Sequence, residues 1–220
     1  MLLKDAAYLQ ASITRRANKR RARKNQPLLD VLYEAEDAAR VLTSIVGHRY
    51  LEWIDVAPGV RVRFHDAGHI MGSAVVEAEV TEADRTKTLV FSGDLGQFNT
   101  PILNDPSLLK RADVVLMEST YGGRAHRSRE DTLVEMGELL QEARADGGHI
   151  LIPAFAVGRS QELLYHLGNH FDEWNVGEWQ IFLDSPMAIS TTEIYWDYPH
   201  LYDDEATQLR KNTEPNAVVA

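Results

Sequence analysis

Hydrophobic and polar positions alternate in the second quarter of the chain as they do in half-buried β-strands. In residues 60–64, VRVRF, and 74–80, AVVEAEV, apolar side chains occupy every second position, which puts them on one face of a pleated strand. Residues 88–93, TLVFSG, and 113–117, DVVLM, are instead dominated by continuous apolar runs, which favour strands covered on both faces. Few helical patterns separate these segments, so we predict a sheet layer of partly antiparallel character.

Helical spacing dominates before this layer and directly after residue 120. Residues 1–14 predict a helix that runs into a basic stretch, and residues 34–46 return to helical spacing. A longer helix is predicted over residues 128–145, because Ser128 is a favourable N-cap residue in a capping-box pattern.

Short apolar runs and helical patterns alternate in the rest of the chain. HILIPAF (149–155) and WQIFLD (179–184) are predicted to be buried strands, and GRSQELLYHLGNH (158–170) a helix, with a further helical pattern behind them. An αβαβα order is typical of a mostly parallel sheet. We therefore predict an α/β protein with two parts, residues 1–120 and residues 121–220.

Composition narrows the chemistry that the chain can carry. It has no cysteine, so disulfides and thiolate metal sites are excluded, and any metal has to be bound by His, Asp or Glu. No apolar run approaches the length of a bilayer span, and the first ten residues, MLLKDAAYLQ, do not resemble a signal peptide. We therefore expect a cytoplasmic protein without a membrane partner.

The charge of the chain is unevenly distributed. The net charge of −10 argues against a generic nucleic-acid binder, but residues 15–24, RRANKRRARK, contain seven basic groups and no acid. The remainder carries 16 basic and 33 acidic residues, a net of −17. Such a basic run can contact phosphates electrostatically, although a solvated helix face or a flexible linker is its more common origin.

Three side chains that can bind metals or protons follow predicted strands. His69 lies in the glycine-punctuated loop HDAGHIMGS, Asp94 follows FSG, and Glu118 follows DVVLM. If the strands form a simple meander, His69 and Asp94 emerge at the same rim of the sheet, and Glu118 can reach that rim. One imidazole and two carboxylates in such loops indicate a possible hydrolytic metal site. Taken singly, each residue also has a structural explanation, such as an aspartate that caps its own turn.

Five strings resemble a known family in their order and separation. They are DAGHIMGSA (66–74), FSGDLG (91–96), ESTYGGR (118–124), PAFAVGRSQE (153–162) and DSPMA (184–188). Together they resemble the β-CASP branch of the metallo-β-lactamase superfamily, which includes bacterial RNA-processing nucleases and the pre-mRNA 3′-end cleavage factor. The resemblance implies a partial metallo-β-lactamase αββα sandwich, followed by the start of a β-CASP domain with a mostly parallel sheet.

The resemblance also implies roles for individual residues. His69 matches the third metallo-β-lactamase motif, a ligand of one zinc ion, and Asp94 matches the fourth, whose carboxylate bridges two zinc ions. Glu118 matches the first β-CASP motif, an acidic residue that positions a later histidine beside the scissile phosphate. The implied function is that of a zinc-dependent ribonuclease with two Zn²⁺ ions and RNA as its substrate, in which Asp94 and Glu118 are catalytic.

Two parts of the family pattern do not occur in the sequence. The main metal motif, His-X-His-X-Asp-His, is missing, and so are the two later histidine motifs, since His200 in YPHLY matches neither. We therefore expect a chain truncated at both ends that is inactive by itself, because two ligands seldom hold zinc tightly. An in-frame His-X-His-X-Asp-His encoded upstream of Met1 would settle this point.

Four further residues are predicted to contact the substrate. Arg159 and Ser160 lie at a strand-to-helix turn, where backbone N–H groups and an arginine can hold a phosphate. Ser185 lies at the end of the next predicted strand, and His126 follows TYGG. A surface role for Arg159 and simple solvation of His126 remain open at this point.

Two other functions also remain open. A metallo-hydrolase of a small ester or thioester is possible on this fold, but small-molecule hydrolases of the superfamily lack the β-CASP insertion. A non-catalytic or degenerate subunit that binds RNA or a partner is favoured by the missing metal motif. The presence of His69, Asp94 and Glu118 argues against long degeneration. The sequence does not indicate the oligomeric state.

Overall fold

The chain divides into two compact units in a computed structural model that describes residues 1–212. Contacts within the chain define a first unit, residues 1–48, and a second unit that begins at Arg49. The predicted division into residues 1–120 and 121–220 concerns the two halves of the family fold and stays a prediction.

The first unit is a helical hairpin made of α1, Leu2–Ala22, and α2, Ala35–Leu42. The segment between the helices is held by polar side chains of α1. Asn18 Nδ2 donates to the carbonyl oxygen of Leu29, and Leu29 N–H donates back to Asn18 Oδ1, both at 2.8 Å. The prediction of a helix that continues into the basic stretch is confirmed.

A five-stranded sheet forms the centre of the second unit, with its strands in chain order. The first three pairings are antiparallel, and the last pairing is parallel. The predicted meander is therefore confirmed, and a short first strand is added that the alternation pattern did not indicate. The strands are β1 Ile54–Ala57, β2 Val60–Asp66, β3 Ala74–Glu82, β4 Arg85–Phe91 and β5 Val114–Leu116.

A buried cluster anchors one end of this sheet. Val75 of β3 and Val90 of β4 pack with Ala67, which follows β2, and Leu95 and Leu109 contact the same cluster. Ala67 and Leu95 belong to the loops that follow β2 and β4. Burial of their apolar surface therefore holds both loops against the sheet.

Helices make up the regular structure of the second unit beyond the sheet. The predicted helix starts are confirmed: Ser128 Oγ accepts the N–H of Asp131 at 3.0 Å, as an N-cap should. The helices are α3 Arg129–Ala145, α4 Arg159–Asn169, α5 Pro186–Asp197 and α6 Asp204–Asn212, with 3₁₀ turns at Val176–Glu178 and Pro199–Leu201. Among residues 1–212, no helix combines the length and the apolar character that crossing a bilayer requires.

The two strands predicted over 149–155 and 179–184 are not formed, although the α/β class is confirmed. Both segments are irregular in the described structure, and Leu151 and Phe182 are 91% and 80% exposed. An apolar run becomes a strand only where a neighbouring strand supplies hydrogen bonds, and residues 1–212 provide none at these positions. For the same reason β5, predicted to be covered on both faces, is an exposed edge strand here.

Candidate active site

Three loops meet at the end of the sheet where β2 and β4 stop. The antiparallel order of β2, β3 and β4 brings the loop of residues 67–73 and the residues after Phe91 to the same rim. Because β5 is parallel to β4, the residues after Leu116 reach that rim as well. The topology thus delivers His69, Asp94 and Glu118 to one end of the sheet.

The loops of His69 and Asp94 touch through their backbones. Gly96 N–H donates to the carbonyl oxygen of Ala67 at 2.8 Å. A Cβ atom on Gly96 would lie 1.7 Å from the carbonyl oxygen of Gly68 and 2.8 Å from the nitrogen of His69. Only glycine therefore permits this approach, which brings the two loops side by side.

Glu118 is attached to the same loop by its side chain. Its Oε1 accepts the N–H of Leu95 at 2.9 Å, and its backbone N–H donates to Ser92 Oγ at 2.9 Å. The pKa of Glu118 lies below its usual range, chiefly because Leu95 N–H donates to the carboxylate, while hydrogen bonds from Thr120 and the nearby imidazole of His69 act in the same direction. Glu118 is therefore held in its ionised form beside His69.

The loop that carries His69 is closed by hydrogen bonds to side chains at both of its ends. Ser73 Oγ accepts the N–H groups of His69 and Ile70 at 3.1 and 3.3 Å. Asp66 Oδ1 accepts the N–H of Gly68 at 2.9 Å, which is a turn-forming contact. The backbone of His69 is fixed in this way, while its side chain and that of Asp94 are exposed and free to take a ligand.

Two helices of the second unit also contact this loop. Tyr195 of α5 accepts the N–H of Met71 at 3.1 Å through its hydroxyl. At the start of α4, a Cβ on Gly158 would lie 2.9 Å from Ile70 Cγ2, and its positive φ of 83° also favours glycine. The turn that was predicted to hold phosphate therefore lies next to the His69 loop.

The two predicted substrate-binding residues of that turn have partners within the protein. Arg159 Nη1 lies 2.6 Å from Glu162 Oε2 in an exposed ion pair. Ser160 is buried, and its hydroxyl donates to the carbonyl oxygen of Phe155 at 2.8 Å. Arg159 is therefore already paired, although its own side chain is exposed, whereas Ser160 is positioned to hold the start of α4.

The other two predicted substrate-binding residues also make local contacts. Ser185 Oγ caps α5 by accepting the N–H of Ala188 at 3.2 Å. The ring of His126 stacks on the ring of Tyr121 with the centroids 3.7 Å apart. The guanidinium of Arg124 lies 4.3 Å from the centroid of the Tyr121 ring. His126 thus belongs to an exposed aromatic and cationic cluster just after Glu118.

The donors at the rim make up only part of a metal site. Within residues 1–212 no three His, Asp or Glu side chains are arranged to hold a metal ion. His69 and Asp94 supply the nitrogen and oxygen donors that zinc accepts, but a catalytic zinc ion usually takes three protein ligands. The types of donor therefore fit zinc, and their number falls short of a site.

Comparisons with known proteins agree with the family that the five sequence motifs resemble. A family model described as the Beta-Casp domain matches residues 160–220. "Ribonuclease TTHA0252" of Thermus thermophilus is 41% identical over 160 residues, which are 73% of this chain and 36% of that protein. "Endoribonuclease YSH1" of Kluyveromyces lactis is 27% identical over 86% of this chain and 25% of its own length. "Transcription termination factor FttA" of Methanosarcina mazei is 31% identical over 80% of this chain and 28% of its own length.

The fold and these similarities define the class as that of α/β proteins with the metallo-β-lactamase fold. The chain belongs to the β-CASP family, a branch of the metallo-β-lactamase-fold superfamily. It spans 25 to 36% of the length of the three relatives named above.

The ionised state of Glu118 leads to a prediction about stability. Because its pKa is lower in the folded chain than in the unfolded chain, its charge stabilises the fold fully above the ordinary value of about 4.5. That contribution is lost as the pH falls through the lowered pKa. Urea unfolding of the wild type and of Glu118→Gln is expected to differ at pH 6 and to converge as the pH drops well below 4.5. A difference that does not change with pH would contradict the hydrogen bonds described for this carboxylate.

Proposed function

We propose that the chain contributes His69, Asp94 and Glu118 to the active site of a zinc-dependent ribonuclease that hydrolyses phosphodiester bonds in RNA. The observation that carries the proposal is the backbone contact between Gly96 and Gly68, because it joins the loops of His69 and Asp94. The names of the relatives, which include a ribonuclease and an endoribonuclease, support the same substrate.

Each of the three residues would have its own task. Asp94 has two carboxylate oxygens, which would suit a ligand shared between two ions, and the imidazole of His69 would be a nitrogen donor to one of them. Bound zinc would supply a hydroxide at neutral pH and offset the charge on the phosphoryl oxygens. Glu118, kept ionised by Leu95 N–H, would orient a proton-carrying group next to the leaving oxygen.

The shortage of donors within residues 1–212 supports a second proposal about the 220 residues alone. Two ligands hold zinc weakly, so the isolated chain is expected to bind little zinc and to leave RNA intact. The remaining ligands would come from outside the described residues. A non-catalytic RNA-binding role is the competing function, and the same shortage is the observation that favours it.

The test uses the polypeptide translated from the whole reading frame that contains these residues. A single-stranded RNA of about 30 nucleotides, labelled separately at each end, is incubated with ZnCl₂ or with EDTA, and the products are sized on a gel. We expect cleavage that requires zinc and no hydrolysis of a chromogenic ester. Zinc-loaded protein that leaves RNA intact would favour the non-catalytic role, and hydrolysis of the ester alone would favour a small-molecule hydrolase.

A further inference from the structure

The second half of α1 carries a row of cations that the proposed active site does not use. Arg15, Lys19 and Arg23 follow each other at intervals of four residues, so they lie along one side of the helix about 6 Å apart. Arg16 and Arg20 flank this row, and at about 100° per residue the five side chains occupy roughly 140° of the circumference. All five are exposed. We call these five residues the cationic face.

The charges of this face are not neutralised by neighbours. In the part of the chain that the structure describes, none of the five residues forms an ion pair. Residues 1–48 hold nine Lys and Arg against five Asp and Glu, a net of +4, whereas the rest of the chain holds 14 against 28, a net of −14. The first unit therefore has the opposite charge to the rest of the sequence.

The opposite side of α1 makes the hydrogen bonds that hold the rest of the first unit against the helix. Asn18 exchanges two hydrogen bonds with the backbone of Leu29, Gln10 Oε1 accepts the N–H of Leu32 at 3.3 Å, and Arg21 Nε donates to the carbonyl oxygen of Pro27. These contacts fix the segment after α1 along one side of the helix. Within the described residues, the side chains of the cationic face make none of these hydrogen bonds and no ion pair.

We propose that the cationic face binds the phosphate backbone of single-stranded RNA and so captures the substrate of the proposed ribonuclease. The proposal rests on the proposed function for the identity of the ligand. Unpaired Lys and Arg side chains bind polyanions by releasing condensed counterions, and guanidinium groups match the geometry of phosphate oxygens. A local surface of positive charge attracts RNA to a chain whose other residues carry a net charge of −14.

The arrangement of apolar residues argues against an anionic membrane as the ligand. Helices that lie on membranes carry basic residues on one face and apolar residues on the opposite face. On α1 the exposed Leu9 and Ile13 lie roughly on the side of the cationic face, but one to two turns closer to the N-terminus. The apolar and basic residues thus follow one another along the axis of α1 instead of lying on opposite faces, and this arrangement does not suit a flat lipid surface.

The experiment measures how the affinity for RNA depends on salt. The Arg15→Gln/Lys19→Gln/Arg23→Gln variant is compared with the wild type and with Arg85→Gln/Lys110→Gln/Arg111→Gln, which removes three exposed cations from the second unit. Glutamine is a good helix former, and circular dichroism checks that the helix content is kept. Binding of a fluorescein-labelled 20-nucleotide poly(U) is followed by anisotropy between about 50 and 300 mM KCl, in EDTA so that no cleavage occurs.

Removal of three phosphate contacts should lower the slope of log affinity against log salt by about 2, at roughly 0.7 per cation for a single strand. We expect this change, with affinity at least about 10-fold weaker at 50 mM salt, in the α1 variant and not in the control. Equal slopes for all three proteins, or an equal loss in the control, would overturn the proposal. Binding to phosphatidylserine vesicles that the α1 variant loses, without any change in the RNA slope, would also overturn it in favour of a membrane.

The outcome stays separate from that of the zinc ribonuclease proposal. A reduced slope in a protein that never cleaves RNA would keep the cationic face as an RNA-binding surface and reject the nuclease. Zinc-dependent cleavage with an unchanged slope would keep the nuclease and reject the cationic face as an RNA-binding surface.

Discussion

Replacement of Gly96 by alanine is expected to destabilise the fold by about 3 kcal/mol or more. The added Cβ would lie 1.7 Å from the carbonyl oxygen of Gly68 and 2.8 Å from the nitrogen of His69. Both atoms belong to the backbone, so neither can move aside as the end of a flexible side chain could. The two loops would have to separate, and the hydrogen bond from Gly96 N–H to Ala67 would be lost.

Urea unfolding followed by circular dichroism measures this effect, with Gly123→Ala as the matched control. A Cβ on Gly123 has no atom within 4 Å, and its backbone is not left-handed. Its substitution should therefore change the free energy of unfolding by less than about 0.5 kcal/mol. If the two variants proved equally stable, the loops of His69 and Asp94 would not be in contact, and the proposed site would lose its main support.

The alternation of side chains was sufficient to predict the central meander. In β2 and β3 the apolar positions repeat every second residue, and the register pairs Phe64 with Val76 and Val62 with Ala78 on the same face. The pattern of period two predicted these strands as neighbours but not their burial, because Val75 and Glu77 on the opposite face of β3 are buried as well. The convergence of His69 and Asp94 could be predicted because short connections make consecutive strands antiparallel neighbours.

The later apolar runs show the limit of this reasoning. HILIPAF and WQIFLD have the composition of buried strands, yet Leu151 and Phe182 are exposed in the described structure. Periodicity indicates how a segment would be buried if a neighbouring strand were present, and residues 1–212 place no strand beside either segment. The same dependence on partners explains why β1, only four residues long, was not predicted.

The sequence indicated candidate residues for the site, but it did not indicate the hydrogen bonds that hold these residues in place. His69, Asp94 and Glu118 could be selected because they follow predicted strands and match motifs of the family, and their roles stay predictions. Hydrogen bonds such as those of Ser73 to the His69 loop, or of Tyr195 to Met71 across 124 positions, depend on tertiary contacts that no local pattern encodes. The supporting contacts of a site therefore require the structure, whereas its chemistry can be expected from the sequence.

Substitution of Asp94 by asparagine is expected to lower RNA cleavage on the order of 1,000-fold or more, together with the zinc content of the protein. The amide keeps one oxygen and replaces the other with an NH₂ group, which cannot coordinate a cation. A ligand shared by two ions would thus be lost while the volume of the side chain stays the same. Cleavage is measured on the zinc-loaded polypeptide of the whole reading frame, and zinc is measured by mass spectrometry after dialysis.

Asp84→Asn provides the matched control on the same β-hairpin. Asp84 lies in the turn between β3 and β4, at the end opposite to Asp94, and is exposed. The identical chemical change at this position should leave both cleavage and zinc content at the wild-type level. Because the two variants alter net charge equally, a loss confined to Asp94→Asn reports on the rim and not on the general electrostatics of a chain with a net charge of −10. An Asp94→Asn protein that binds zinc and cleaves RNA as the wild type does would remove this carboxylate from the site.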